Sequence, residues 1–141
     1  MRKRYFSVLA VLLCLAILCS IPVHAVEPYA SEQISYHSAT LDKGSDGYLY
    51  VTFMIRTNRV MNTLGASSVV IQRYSFFQWV NEYTFTPENT PQLLTTNDSY
   101  HSLIIPYDPL FPNATYRAVV NLYAESDTMI SRVTDTTKTV P

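Results

Sequence analysis

The chain has 141 residues, enough for one domain with a modest core, and its ten basic and eleven acidic residues give a net charge of −1. Three of the basic residues are Arg2, Lys3 and Arg4, so residues 26–141 carry seven basic against eleven acidic side chains, a net charge of −4. This acidic balance argues against nucleic-acid binding, which depends on many contacts between basic side chains and phosphates.

The first 25 residues have the layout of a secretory signal peptide. A basic start precedes an apolar run over residues 5–19, and Val23-x-Ala25 then forms a site that a signal peptidase reads. The apolar run has about 15 residues, fewer than the roughly 18–20 that cross a membrane. We therefore predict cleavage after Ala25, a secreted extracellular domain over residues 26–141, and no transmembrane anchor after cleavage.

Both cysteines, Cys14 and Cys19, lie within the predicted signal peptide. The secreted domain would therefore have no disulfide, no thiol nucleophile and no thiolate metal site, and its stability must come from packing. We expect no cofactor and no metal.

β-Branched and aromatic residues, bounded by clusters of Asn, Asp, Pro and Ser, predict an all-β domain. The clearest strand covers residues 48–57, where alternate residues share one apolar face: Leu49, Val51, Phe53 and Ile55. In chain order, the seven predicted strands cover residues 34–41, 48–57, 67–74, 79–85, 100–105, 116–124 and 129–140.

The segments between these strands are less regular. Residues 58–66 are predicted to be an irregular connection, and residues 86–97 a loop or ragged edge strand. In the fourth strand, we expect Trp79, Tyr83 and Phe85 to lie on one side. Seven short strands separated by turn signals predict a single antiparallel β-sandwich.

The stretch LFPNATYRAVVNL at residues 110–122 predicts a tyrosine corner. Tyr116 opens the strand, so its ring should pack inside and its hydroxyl should bond a backbone group upstream. We expect Leu110 to fill the edge of the core and Pro112 to rigidify the loop in which the chain crosses from one sheet to the other. This spacing resembles the corresponding corner of fibronectin type III domains, and the resemblance implies an immunoglobulin-like sandwich. The tryptophan usual on the second strand of that fold is missing, and the chain's one tryptophan, Trp79, comes later.

A second resemblance extends over most of the chain. It rests on the segments VMNTLGA (60–66), VVIQR (69–73), QWV (78–80) and YRAVVNLYA (116–124), with a threonine-rich last strand. These resemble a family of small, signal-bearing secreted proteins of Gram-positive bacteria, known only as a domain of unknown function. The resemblance implies a β-sandwich and secretion, and it assigns no catalytic residue to this chain.

Candidate catalytic groups are sparse. After signal cleavage only His37 and His101 remain, each in a predicted strand without a partner at metal-ligand spacing. No serine lies in a G-x-S-x-G motif, although a Ser–His–Asp arrangement cannot be recognised from spacing alone. The loop DKGSDG at residues 42–47 could hold calcium between oxygens, but it has too few ligands for a known loop motif.

The tyrosines are the remaining candidate site. Tyr48, Tyr50 and Tyr123 should face away from the core, where aromatic rings either bind carbohydrate or protein or stabilise the sheet through cross-strand pairs. We therefore predict a non-catalytic extracellular or cell-surface binding module, whose partner would be carbohydrate or an envelope or extracellular protein. The alternative is a secreted hydrolase whose site no motif reveals.

Overall fold

The computed structural model describes residues 33–141, and this part of the chain is an all-β fold. The predicted signal peptide and its cleavage site lie outside the described residues. Residues 33–141 contain six strands, and a single 3₁₀ turn at Pro91–Leu93 precedes the fourth of them. The strands are β1 (Ile34–Lys43), β2 (Leu49–Ser75), β3 (Gln78–Phe85), β4 (Leu94–Tyr107), β5 (Tyr116–Glu125) and β6 (Ile130–Thr136).

All six strands belong to one antiparallel sheet organised around β2. The hydrogen-bonded path runs β1–β2–β5–β6, and β3 and β4 also pair with β2. Near its start β2 lies between β1 and β4, so that Ile55 is opposite both His37 and His101. Near its end β2 lies between β3 and β5, so that Ile71 is opposite both Tyr83 and Ala118.

The apolar alternation predicted for the second strand is confirmed. Leu49, Val51, Phe53 and Ile55 are each at most 1% exposed. Alternate residues of β5 are equally buried: Tyr116, Ala118, Val120, Leu122 and Ala124. Both rows belong to one hydrophobic core cluster, whose apolar burial favours the folded state.

The prediction of an irregular connection at residues 58–66 is wrong. These residues continue the strand, so β2 runs unbroken for 27 residues and six strands replace the seven predicted. The pairing register shifts between Arg56 and Met61 and between Ala66 and Ser68. These shifts interrupt the period-two alternation of apolar residues, so the sequence of this segment lacks the pattern that predicts a strand.

Gly65 allows a close approach within this segment. Its φ is +147°, and a Cβ there would lie 2.0 Å from the carbonyl oxygen of Leu93. Only glycine therefore lets β2 pass the 3₁₀ turn at this point.

The two ends of the hydrogen-bonded path lie close together because the sheet curls. His37 Nδ1 of β1 lies 2.8 Å from Asp135 Oδ2 of β6. The Lys43 ammonium, at the end of β1, donates to the carbonyl oxygens of Pro112 (2.6 Å) and Pro141 (3.0 Å). These contacts join segments 69 to 98 residues apart in sequence and hold the curl closed.

β4 extends beyond the bounds of the fifth predicted strand, residues 100–105. It begins at Leu94, inside the segment predicted to be a loop or ragged edge strand, and continues through Pro106 to Tyr107. Pro106 is opposite Tyr50 of β2, and among the described strands β4 pairs with β2 alone, so the proline, which has no N–H, leaves no donor unpaired on the open side of β4.

Candidate functional site

The turn between β2 and β3 has an unusual composition. Ser75 pairs with Gln78, which leaves a two-residue turn of Phe76 and Phe77, with φ angles of +49° and +65°. Such a turn requires positive φ at both positions and favours Asn-Gly, because a side chain with a Cβ costs about 1–2 kcal/mol in the left-handed region. Two phenylalanines are therefore a poor choice for the backbone of this turn. We call residues 75–78 the hairpin tip.

Neither phenyl group of the hairpin tip is buried. Phe76 is 91% exposed and Phe77 is 94% exposed. Neither burial in the core nor the backbone conformation of the turn therefore explains why phenylalanine occupies these two positions. Large apolar side chains that gain nothing within their own fold are typical of binding surfaces.

A layer of amphipathic side chains lies directly behind the hairpin tip. Tyr74 and Trp79 are cross-strand partners with ring centroids 5.2 Å apart. The Arg117 guanidinium lies 4.2 Å from the Trp79 ring centroid, and its Nε donates to Gln72. The guanidinium charge is thus held by an aromatic face and a neutral amide. We call Tyr74, Trp79 and Arg117 the belt.

A β-bulge in β3 separates the three aromatic residues expected on one side. Gln72 is opposite Asn81 and Ile71 is opposite Tyr83, so Glu82 is an extra residue in the strand. Because cross-strand partners share a face, Tyr83 lies on the side of buried Ile71, and Trp79 lies with Tyr74 on the opposite side. The expectation that Trp79, Tyr83 and Phe85 lie together is wrong for this reason.

The same bulge places Glu82 among four donors. Its Oε1 accepts the hydroxyls of Tyr107 and Tyr116, each at 2.9 Å, and the Leu110 N–H at 3.4 Å. Its Oε2 accepts Arg73 Nε at 2.7 Å. Burial raises the pKa of the Glu82 carboxyl, but these hydrogen bonds outweigh it and hold the pKa below the ordinary value of 4.5.

The Tyr116 side chain is 1% exposed, and its hydroxyl has two partners. It accepts the Phe111 N–H at 3.3 Å, the upstream backbone contact expected of a tyrosine corner, and it donates to Glu82. Burial and the bond to Glu82 raise the pKa of Tyr116 to about 12, and the same two causes raise that of Tyr107.

The residues upstream of Tyr116 do not all lie where the sequence suggests. The prediction that Leu110 fills the edge of the core is wrong: Leu110 is 72% exposed, and the buried residue in this loop is Pro109. Pro112 is exposed and its carbonyl accepts Lys43. We call residues 108–115 the corner loop.

The corner loop lies at the same end of the molecule as the hairpin tip. The Tyr74 N–H donates to Thr115 O, and the Arg73 guanidinium lies 4.1 Å from the Phe111 ring centroid. Beside them is an open pocket of about 330 Å³, lined by Arg73, Phe111, Pro112, Asn113 and Ala114. Phe111 is 50% exposed, so together with Leu110 it adds to the apolar surface at this end.

The three tyrosines predicted as a binding face do not form one surface. Tyr48 immediately precedes β2, and Tyr50 lies at its start, opposite Asp42 of β1 and Pro106 of β4, whereas Tyr123 pairs with Gly65 and Arg132 in another part of the sheet. The hydroxyl of Tyr50 donates to Asp46 at 2.5 Å, and that of Tyr123 donates to Glu125 at 2.7 Å. The hydrogen bond from Tyr50 lowers the pKa of Asp46, and both tyrosine pKa values are raised by their carboxylate partners.

The two histidines of the described residues lie on different strands, and each makes a hydrogen bond to a different residue. His37 pairs with Asp135, and His101 Nε2 bonds the Gln92 carbonyl while its ring meets Phe53 edge-on at 5.5 Å. Residues 33–141 contain no group of three or more His, Cys, Asp or Glu side chains that could hold a metal ion. In the loop at residues 42–47, the Asp46 carboxylate accepts the Tyr48 N–H and the Tyr50 hydroxyl.

No family model, no curated protein and no solved structure matches this chain. Membership in the secreted Gram-positive family therefore stays a prediction from the sequence motifs. Over residues 33–141, none of the helical structure is long and apolar enough to cross a membrane.

The predicted strands leave residues 75–78 as a connection, and the two phenylalanines within it are not among the predicted site residues. The available signal was SFFQ itself, an apolar pair at a position where a two-residue hairpin favours glycine and asparagine. Glu82 had no comparable signal, because a bulge depends on how two strands are paired.

Proposed function

We propose that this protein is a secreted, non-catalytic binding module that attaches to a cell-surface partner through the hairpin tip. The observation that carries the proposal is the pair Phe76 and Phe77, 91% and 94% exposed in a turn whose backbone disfavours them. Exposed aromatic anchors of this kind supply much of the energy of binding interfaces.

The surroundings of the hairpin tip support this role. Glu82 joins β3 to Tyr107 of β4 and Tyr116 of β5, so the base of the hairpin is fixed by hydrogen bonds on several strands. A rigid base lowers the entropic cost of binding, because the tip does not have to be ordered when its partner arrives.

We also propose that the fold is an immunoglobulin-like sandwich of the fibronectin type III kind. Residues 49–57 of β2 pair with β1 and β4, whereas residues 69–75 pair with β3 and β5. Two groups of strands around one core support a two-layer arrangement in which β2 contributes to both layers.

Retention of the secreted protein on envelope fractions of the producing cells tests the proposed function. The test variant is Phe76→Asn/Phe77→Gly, which removes both rings and supplies the residues that the turn favours, so the fold should survive. The matched control is Tyr48→Thr/Tyr50→Thr, which removes one tyrosine just before β2 and one at its start. We expect retention to fall roughly tenfold or more for the tip variant alone. Equal retention of wild type and the tip variant would exclude the hairpin tip as the binding surface.

A further inference from the structure

We propose that the partner of the hairpin tip is the lipid bilayer surface, into which Phe76 and Phe77 insert. This inference rests on the proposed function and specifies its partner. The phenyl groups form the outermost layer, Ser75 and Gln78 follow, and the belt of Tyr74, Trp79 and Arg117 comes next. An apolar end backed by aromatic and cationic side chains matches the change in environment from the hydrocarbon of a bilayer to its headgroups.

The spacing of these layers also fits a bilayer interface. Trp79 lies two residues from Phe77 along the hairpin, which is about 7 Å at the rise of an antiparallel strand. Interfacial elements bury their apolar face roughly 5–10 Å deep, so the indole of Trp79 would lie at headgroup level when the phenyl groups reach the acyl chains. Tyrosine and tryptophan are enriched at that level because their rings combine an apolar body with a polar group.

A bilayer fits the chemistry of the tip better than a protein pocket does. Phe76 and Phe77 have no side-chain donors or acceptors, so they offer no directional hydrogen bonds for recognition. They also protrude from the end of a hairpin, and a fluid apolar phase needs no complementary shape to receive them. Exposed Leu110 and Phe111 of the corner loop lie at the same end and would rest on the same surface.

Charge at this end is nearly balanced. Arg73 and Arg117 are the cations beside the tip, Glu82 is paired with Arg73, and Asp108 lies in the corner loop. Attachment should therefore depend on apolar insertion more than on attraction to anionic lipid, and zwitterionic vesicles should suffice.

The protein purified from culture medium is mixed with phosphatidylcholine vesicles, with and without phosphatidylglycerol. Trp79 is the chain's one tryptophan, so its emission reports directly on the belt. We expect sedimentation with both kinds of vesicle, a blue shift of Trp79 emission, and quenching by lipids brominated in the upper acyl chain. Phe76→Asn/Phe77→Gly should weaken partitioning roughly tenfold or more, and Tyr48→Thr/Tyr50→Thr should leave it unchanged.

Two outcomes overturn the inference, and they differ in what they say about the proposed function. If wild type does not bind vesicles but the tip variant still loses retention on envelope fractions, the tip binds a protein or carbohydrate and only the lipid inference fails. If the tip variant equals wild type in both assays, the lipid inference and the proposed binding surface fail together.

Discussion

The hydroxyl of Tyr116 donates to Glu82 across 2.9 Å, joining the first residue of β5 to the bulge of β3. The same hydroxyl accepts the backbone N–H of Phe111, so one oxygen links two strands and the corner loop. The base of the hairpin and the corner loop thus depend on a shared set of hydrogen bonds, which can be tested one partner at a time.

Removing the Tyr116 hydroxyl should destabilise the domain. Tyr116→Phe leaves the Phe111 N–H and one Glu82 oxygen short of a partner, at a cost of about 1–3 kcal/mol in the free energy of unfolding. Urea denaturation measures this change. Tyr50→Phe is the control, since it removes a hydroxyl whose partner Asp46 is at the surface, and we expect less than about 0.5 kcal/mol. Coincident midpoints for wild type and Tyr116→Phe would contradict the structural role of the corner.

Glu82 should make the domain sensitive to acid. Its folded pKa lies below 4.5, so its contribution to stability is present above that pH and is lost as the pH falls through the folded pKa. Glu82→Gln lacks this contribution, and its free energy of unfolding should fall less steeply than that of wild type below about pH 4.5.

The same variant should be less stable at neutral pH. Glu82→Gln leaves Arg73 without its carboxylate, which should cost about 2–4 kcal/mol at pH 7. Glu88→Gln, which replaces an exposed carboxylate, should change stability by less than about 0.5 kcal/mol. Parallel stability curves for wild type and Glu82→Gln from pH 7 to acid would show that Glu82 contributes nothing to the acid response.

Replacing the two phenylalanines of the hairpin tip by residues that favour positive φ should stabilise the domain. Phe76→Asn/Phe77→Gly relieves the cost of two positive φ angles, and we expect the free energy of unfolding to rise by about 1–2 kcal/mol. Phe76→Ala/Phe77→Ala removes the rings but keeps both Cβ atoms, so its stability should stay within about 0.5 kcal/mol of wild type. Thermal or urea melts in which the Asn-Gly variant is no more stable than wild type would show that the turn is not strained.

Gly65 should tolerate no side chain. Gly65→Ala places a Cβ against the Leu93 carbonyl at positive φ and should cost more than about 3 kcal/mol or prevent folding. Gly47→Ala is the matched control, because Gly47 also has positive φ (+89°) but has nothing within 4 Å of the added carbon. We expect it to cost about 1–2 kcal/mol. Similar unfolding midpoints for the two variants would mean that the backbone contact at Gly65 carries no penalty.

The parts of the fold that sequence predicted are those set by local alternation. Burial alternates without a break from Leu49 to Ile55 and from Tyr116 to Leu122, and every second residue of each run, starting from its first, is buried. Period two survives there because the pairing has no register shift within those residues. The all-β class follows from the same local signal.

The parts that sequence did not predict depend on partners distant in the chain. The bulge at Glu82 exists because β3 must pair with β2, and Gly65 is required because Leu93 crosses beside it. Leu110 and Pro109 are neighbours in sequence, and nothing local says that the proline is the buried one. Exposure of Phe76 and Phe77 is likewise a property of the assembled fold, since apolar residues are buried by default.

The continuity of β2 has a consequence for how this domain folds. One strand of 27 residues pairs with β1, β3, β4 and β5, so no group of these strands can complete its hydrogen bonds while β2 is unformed. We expect one cooperative unfolding transition, slow folding because most pairings are non-local, and the slowest amide hydrogen exchange along the middle of β2. A cleavage within residues 58–66 would therefore unfold the whole domain. Fraying of β6, whose one partner among the described strands is β5, would remain local.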